Sequence, residues 1–413
     1  MAAPLRVLIL APSLDGGDLG EVYSAFQWTE ALSRVAQVTV LATARLGAVP
    51  LAQQLPLARV ITWPEPAFLY QKFERFNAMA KPSLPLFARQ VRHWVKTAGA
   101  QFDIAHQILP QAMRHASPLR HLGLPYVIGP LGGGLDTPAG FMAEVGGGSG
   151  LARMRAVDGF RLRYDPGLRA SYAGAALLLG VAPYVGAKLA EAGLGQVPFQ
   201  AVLERGQGDL PPENHRQAKV GQLRLLHVGR AVRTKGLRDT VRAMAQLRDL
   251  PGVSLISAGD GEDLAACRAE ADQLGLTDRV TFLGKIPRPA VEAEYAAADV
   301  FCFPSFREPM GGVFFEAMAH GLPVITAARG GPDFIIDDSC GLRLAAETPD
   351  QFARAIAGAV RRLASDPALR LALGQGARAR LQTFGSWDDK AAGMLELYHR
   401  LLAPSGAIAG RAL

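Results

Sequence analysis

The sequence predicts an α/β protein built from two doubly wound units. Three observations point there. Short apolar runs alternate with amphipathic stretches along both halves, one polar, Gly- and Pro-bearing segment interrupts the rhythm, and 413 residues exceed the usual size of one domain. Runs that are apolar at nearly every position suit strands buried on both faces, as in parallel sheets clad by helices.

In the first half, "RVLILAP" reads as a strand, "VYSAFQWTEALSRV" as a helix and "QVTVLAT" as the next strand. "DIAHQI", "PYVIGP" and "ALLLGVA" follow as strands, each leading into a loop with Gly or Pro. "ERGQGDLPPENHRQAKVGQ", residues 204–222, has linker composition. A second series then runs through "LRLLHVG", "VSLISAG", "VTFLG", "VFCFPS" and "PVITA", with a helical pattern after each of the first four. Two such units create a cleft between the carboxyl ends of their sheets, where ligands bind in this architecture. The expected boundaries are a first domain over 1–205, a second over 206–385, and a closing helix within 386–413 that packs back across the join.

An apolar fraction of 49% with 20% charged residues describes a globular chain and excludes a disordered one. The net charge of +7 is uneven: residues 1–205 hold 19 Lys/Arg against 13 Asp/Glu, the remainder 25 against 24. The excess in the first half favours an anionic surface or ligand there, or else a basic surface without a partner. Cys267, Cys302 and Cys340 are widely spaced and form no C-x-x-C pair, which suits buried thiols in a reducing compartment. The run Leu5–Leu10 carries Arg6 and is too short for a signal sequence, and the least polar later stretch, Tyr172–Ala187, contains Pro183 and is too short to span a bilayer. A cytoplasmic protein is expected.

The second half holds the densest chemistry. "VGRAVRTKG" places Arg230 and Lys235 just past a strand, where a guanidinium fork and a compact ammonium suit a diphosphate; a solvated turn is the plain alternative. "SAGDGED" is a turn by itself, and "FLGKIPRPAV" leaves the backbone of Lys285 and Ile286 at another strand end, in place for a nucleobase or as an ordinary loop. In "FREPMGGVFFEAMAHGLPVI" a strand delivers Glu308 to its carboxyl end, Pro309 stiffens the turn, and Gly311–Gly312 open a helix through Glu316. A glycine-led helix start exposes N–H groups and positive dipole, a seat for phosphate. Taken alone, the two acids also suit an exposed loop and an ordinary solvent-facing pair.

Taken in order, GRAVRTKG, AGDG, FLGKIP, ADVFCFPS, EPMGGVFFEAMAHGLPVI and GGPDFI closely resemble the GT-B-fold retaining glycosyltransferases of the group one (family four) type. The resemblance covers nearly the whole second half and implies two Rossmann-like domains facing across a cleft. It implies that Arg230 and Lys235 hold the nucleotide diphosphate, that Glu308 contacts the transferred sugar, and that Glu316 binds the ribose hydroxyls. Gly311 matches the glycine whose backbone faces sugar or phosphate, Met310, Gly312 and Val313 share its donor-binding turn, and Ile286 falls where the base-contacting backbone lies.

The first half resembles the family more loosely. "PSLDGGDLGEV" looks like its glycine-rich loop, with Gly16, Gly17 and Gly20 as candidates. His106 in "FDIAHQ" falls where relatives often have a cleft histidine near the donor sugar, and a structural histidine is the alternative. "GPLGGG" resembles a donor-side glycine loop in which Gly132, Gly133 and Gly134 let backbone approach the ligand. Some relatives carry an acid next; here Leu135 precedes Asp136, so no acidic contact is assigned.

The implied reaction is hexosyl transfer from a nucleotide-diphosphate sugar, with uridine as the base. It retains configuration by front-face attack and needs no cofactor. The sequence shows no D-x-D motif, and the cationic pair makes a metal unnecessary. The acceptor, a glycan, a lipid-linked molecule or a small molecule, belongs on the first domain, within polysaccharide or glycolipid biosynthesis. No nucleic-acid partner is expected. "YQKFERFNAMAKPSLPLFARQVRHWVKTA" and "LARMRAVDGFRLRYDPGLR" mix basic and apolar residues, which suits either an anionic membrane surface or amphipathic helices packed on the sheet. Two other readings compete: a sugar-nucleotide 2-epimerase, which shares a similar two-domain fold, and a non-catalytic sugar-nucleotide binder.

Overall fold

A computed structural model describes residues 3–18, 20–45, 47–65, 82–98, 101–145, 158–208, 210–212 and 220–403. The chain divides into two compact units: Met1–Gly134 with Met154–Gly206 and Gly385–Leu413, and Leu135–Arg153 with Gln207–Phe384.

The first unit is a seven-stranded sheet, ordered β3-β2-β1-β4-β5-β6-β7 and parallel throughout. Its strands are β1 (Arg6–Leu10), β2 (Gln37–Ala44), β3 (Arg59–Pro64), β4 (Ile104–Gln107), β5 (Tyr126–Leu131), β6 (Leu177–Gly180) and β7 (Phe199–Ala201). The second is a six-stranded parallel sheet, ordered β10-β9-β8-β11-β12-β13. It contains β8 (Leu223–Val228), β9 (Val253–Ala258), β10 (Val280–Gly284), β11 (Val300–Cys302), β12 (Val324–Ala327) and β13 (Gly341–Leu344). The continuous apolar runs became the central strands, as two-faced burial requires. β3, β7 and β13 do not stand out in the sequence, and little of them is buried: β3 and β7 have no fully buried residue and β13 has one, Gly341.

The core of the first unit gathers Ile9, Leu32, Val40, Ile104 and Leu179, and is completed by Met394 and Tyr398 of the helix Trp387–Leu402. Trp28 meets Trp387 edge-on, their rings 5.8 Å apart. That helix opens on a capping box: the Asp389 N–H donates to the Ser386 hydroxyl at 3.1 Å, and the Ser386 N–H donates to the Asp389 carboxylate at 2.8 Å. Ser386→Ala is expected to destabilise the first unit by about 1 kcal/mol. Urea titration checks this, and an unchanged midpoint would count against the cap.

One segment departs from the expected division. Residues 135–145 pack in the second unit, not the first, because Phe141 is fully buried in the second core, its ring tilted against Phe306 with centres 4.1 Å apart and edge-on to Phe352. Glu144 adds ion pairs to Arg233 and Arg242 at 2.7 and 2.9 Å.

All three cysteines are free and buried, and burial pushes the Cys267 and Cys302 thiols up to about 12. Among the described residues no helix is long and apolar enough to cross a membrane. Of the two basic, apolar-bearing segments, residues 70–81 and 151–157 lie outside the described residues. The remainder includes the helix Leu84–Thr97 and helical residues 158–164, with Leu86, Phe160 and Tyr164 exposed.

Candidate functional site

In the second sheet the strand order reverses between β8 and β11, neighbours in space though far apart in sequence. Loops leaving the carboxyl ends of two such strands turn to opposite faces and open a crevice between them. The loop after β8 carries Arg230 and Lys235; the loop after β11 carries Glu308 and Met310, and leads into the helix Gly312–Ala319.

The two loops are fastened to each other. The Ser305 hydroxyl donates to the Thr234 carbonyl at 3.0 Å. Gly236 has φ +77°, and a Cβ there would stand 2.2 Å from the Pro304 carbonyl oxygen, so glycine lets the Lys235 loop lie against its neighbour. On that scaffold the Lys235 ammonium donates to the Glu308 carboxylate, both side chains nearly buried, at 11% and 12% exposed. The Lys235 ammonium also lies 5.8 Å from the Phe303 ring centre. The Glu308 main chain is held from the other side, where its carbonyl accepts from the Gly331 N–H at 3.0 Å.

Gly311 sits at the start of the helix with φ +94° and no side-chain cap; a Cβ would meet the Phe314 ring at 2.7 Å and Glu308 Cγ at 3.0 Å. The first N–H groups of a helix have no partner within it, so those of Gly312 and Val313 form its positive end, next to Gly311. Met310 is buried. One turn further on, Glu316 accepts from the Tyr295 hydroxyl at 3.2 Å and lies 3.7 Å from the Arg288 guanidinium. Arg230 is exposed and forms no ion pair with the described residues. Ile286 follows β10, half-buried at the same carboxyl edge but on the far side of β9. A cation, a helix start and a carboxylate thus converge, an arrangement suited to holding a phosphate ester beside a polar group.

In the first unit Gly17 and Gly20 follow β1, and Gly133 and Gly134 follow β5. The Gly17 N–H donates to Asp15 at 2.9 Å, Gly20 starts the helix Glu21–Val35, and Gly133 and Gly134 have φ +81° and +72°. All four lie at the carboxyl edge of the sheet.

His106 is built into the sheet. It sits within β4 at 1% exposed, with Nε2 2.7 Å from the Gly129 carbonyl and Nδ1 2.5 Å from the Tyr398 hydroxyl. A carbonyl only accepts, so Nε2 carries the hydrogen and Tyr398 donates to Nδ1. Neither nitrogen is left for a substrate. Burial holds the ring down at about 4, and its counterpart His227 on β8, whose Nε2 lies 3.3 Å from the Lys235 carbonyl, is likewise at about 4.

Both rings are neutral when folded and charge when unfolded, so the unfolded chain binds more protons between about pH 6.5 and about 4, and stability falls as pH drops through that window. The urea midpoint of the first unit is expected to drop more between pH 7 and 5 than it does in His106→Gln. Parallel curves would refute the assignment.

A group that the sequence reading passed over lies beneath the site. Arg233, 5% exposed, grips the fully buried Asp239 with two bonds of 2.6 and 2.8 Å, and its guanidinium lies 5.3 Å from the ring centres of both Phe141 and Phe306. An Arg and an Asp six apart in an otherwise helix-and-turn pattern was the available signal. Arg307, beside Glu308, donates to the Thr137 hydroxyl at 2.8 Å.

Residues 213–380 match the family described as Glycosyl transferases group 1. The chain is 38% identical over 181 residues to a D-inositol 3-phosphate glycosyltransferase of Mycobacterium avium, covering 42% of this chain and 41% of that protein. It thus spans about two fifths of the length of that relative. Among solved structures it is similar to the sucrose-phosphate synthase of Thermosynechococcus elongatus, with TM-score 0.69, 23% identity and coverage of 96% and 99% of the two chains. It is also similar to the Anabaena protein HepE, solved with UDP and glucose, with TM-score 0.60, 18% identity and coverage of 95% and 99%. At that identity the two structures speak for the fold alone.

Proposed function

From the match of residues 213–380 to the group 1 glycosyl transferases, we propose that this protein moves a hexosyl group from a nucleoside diphosphate sugar to a hydroxyl acceptor, with retention of configuration. The observation that carries the reading is the meeting of Lys235 and Glu308 beside the Gly311-led helix, at the reversal point of the second sheet. Uridine as the base is supported by HepE, a protein of the same fold solved with UDP.

In the proposed step the bond from the sugar C1 to the β-phosphate oxygen breaks while C1 bonds to the acceptor oxygen on the same face. The acceptor's proton passes to the departing phosphate. Negative charge grows on that phosphate, and Lys235, Arg230 and the N–H groups of Gly311, Gly312 and Val313 are the groups that stabilise it. They supply the positive charge that a metal would otherwise bring, so transfer is expected to persist in a chelator. Glu308, released from Lys235 as the diphosphate takes its place, accepts from hydroxyls of the sugar. Glu316 accepts from the ribose, and the backbone at Ile286 pairs with the base. The acceptor is a glycan, a lipid-linked molecule or a small molecule, and the first unit's basic, apolar-bearing segments meet an anionic membrane surface from the cytoplasmic side.

The ribose assignment gives a direct test. Hydrogen bonds to a charged group contribute about 1.5–3 kcal/mol, so UDP should bind at least about 10-fold more tightly than 2′-deoxyUDP. Glu316→Ala should erase that preference. Equal discrimination in the variant, measured by calorimetry, would sink the assignment.

A further inference from the structure

The first unit contains a cavity of about 670 Å³ that the transfer step above does not use. Its walls come from the start of the helix Leu84–Thr97, from residues 114–121 after β4, from Asp158 and Arg161, and from Gly167. Four guanidinium groups line it: Arg92, Arg114, Arg120 and Arg161. Two of them have carboxylate partners, Arg114 with Asp158 at 2.9 Å and Arg161 with Asp165 at 3.0 Å. Among the described residues the other two have none: Arg92 forms no ion pair there, and Arg120 reaches the Gly167 carbonyl at 3.3 Å and the His121 ring at 2.9 Å. Arg114 Nε is buried without a hydrogen-bond partner among the described residues. A buried donor left without a partner is costly, and a pocket with surplus guanidinium forks is matched by an oxyanion with several oxygens.

We infer that this pocket binds the phosphate or pyrophosphate group of the acceptor, a deepening that rests on the transferase reading. The volume lies within the range of small-molecule sites, about 300–1,000 Å³, and leaves room beyond a single phosphate. Leu84, Pro85 and Pro118 supply apolar wall for the rest of the ligand. The pocket also gives a location to the charge excess of residues 1–205, which composition alone left between an anionic partner and a solvated surface. The same chemistry could arrive as a lipid headgroup or as a soluble phosphorylated molecule.

The test uses the full chain carrying Lys235→Ala, which weakens the diphosphate seat of the second unit. Pyrophosphate should raise its Tm. Adding Arg92→Ala and Arg120→Ala should weaken pyrophosphate binding by about 10-fold to 100-fold. The Arg92→Ala/Arg120→Ala variant with Lys235 intact should bind UDP as the parent does. Flotation with phosphatidylglycerol vesicles, against phosphatidylcholine vesicles, separates the sources. Phosphatidylglycerol binding that disappears with the two arginines supports a lipid-borne phosphate; pyrophosphate binding without flotation supports a soluble one. If neither probe responds to the two arginines, the inference is overturned. If pyrophosphate responds but the unmodified protein binds no nucleotide, the pocket stands and the transferase reading fails.

Discussion

Lys235→Ala is expected to lower kcat/KM for sugar transfer by about 10²–10³-fold, the loss that follows removal of one preorganised charge or donor from a leaving group. The size follows from the setting. The ammonium is only 11% exposed, its loop is locked by Gly236 against Pro304, and its ground-state partner is Glu308. A charge held in so dry a place acts more strongly on a departing phosphate than it would in water. Lys235→Arg should not restore the rate, because a planar fork is not a replacement for a compact ammonium in a site this close. Because Lys235 and Glu308 touch, the double variant with Glu308→Gln should fall short of the sum of the single losses. Release of nucleoside diphosphate, followed with unaltered Tm as the control for folding, measures all three. A loss under about 10-fold for Lys235→Ala would remove this residue from the leaving-group role.

The largest effect on stability is expected at Arg233→Met, which should destabilise the second unit by about 3–5 kcal/mol. Asp239 is fully buried, and burial lifts its carboxyl above the usual carboxylate range even with Arg233 bound to it. Without Arg233 the buried carboxylate loses both of its guanidinium hydrogen bonds and keeps Arg242 at 3.9 Å. The pH dependence identifies the cause. Asp239 in the variant is expected to favour its neutral form when folded, so the variant recovers stability relative to the parent as pH falls. Arg233→Met with Asp239→Leu should recover much of the loss, since replacing both members of a buried pair with apolar groups removes the stranded charge. Denaturant titration at pH 7 and 5 separates these outcomes. Equal losses at both pH values would show that the damage is to packing against Phe141 and Phe306 alone.

What the sequence disclosed and what it withheld follow one physical line. Strands buried on both faces announce themselves by unbroken apolar runs, so β1, β2, β4, β8 and β11 were legible. β3, β7 and β13 carry weak patterns because few of their residues are buried. The loops holding Lys235 and Glu308 were found because charges directly after an apolar strand are conspicuous. Arg233 was not, since a charge that is fully consumed inside the protein looks the same in sequence as one offered to solvent. His106 shows the converse: its strand position was legible, but Tyr398, the partner that meets its Nδ1, lies 292 residues further along. The placement of Phe141 and Glu144 in the second unit depends on the same kind of distant partner, Phe306 and Arg233.

The helix Trp387–Leu402 gives the chain a temporal order. Every segment of the second unit has been synthesised by residue 384, whereas the first unit still lacks the residues that cover Trp28 and His106. A ribosome releasing this chain from its amino end therefore finishes the later unit first. The first unit keeps an open core until the helix Trp387–Leu402 emerges, so a message cut short before Tyr398 yields a completed second unit attached to an unfinished first one.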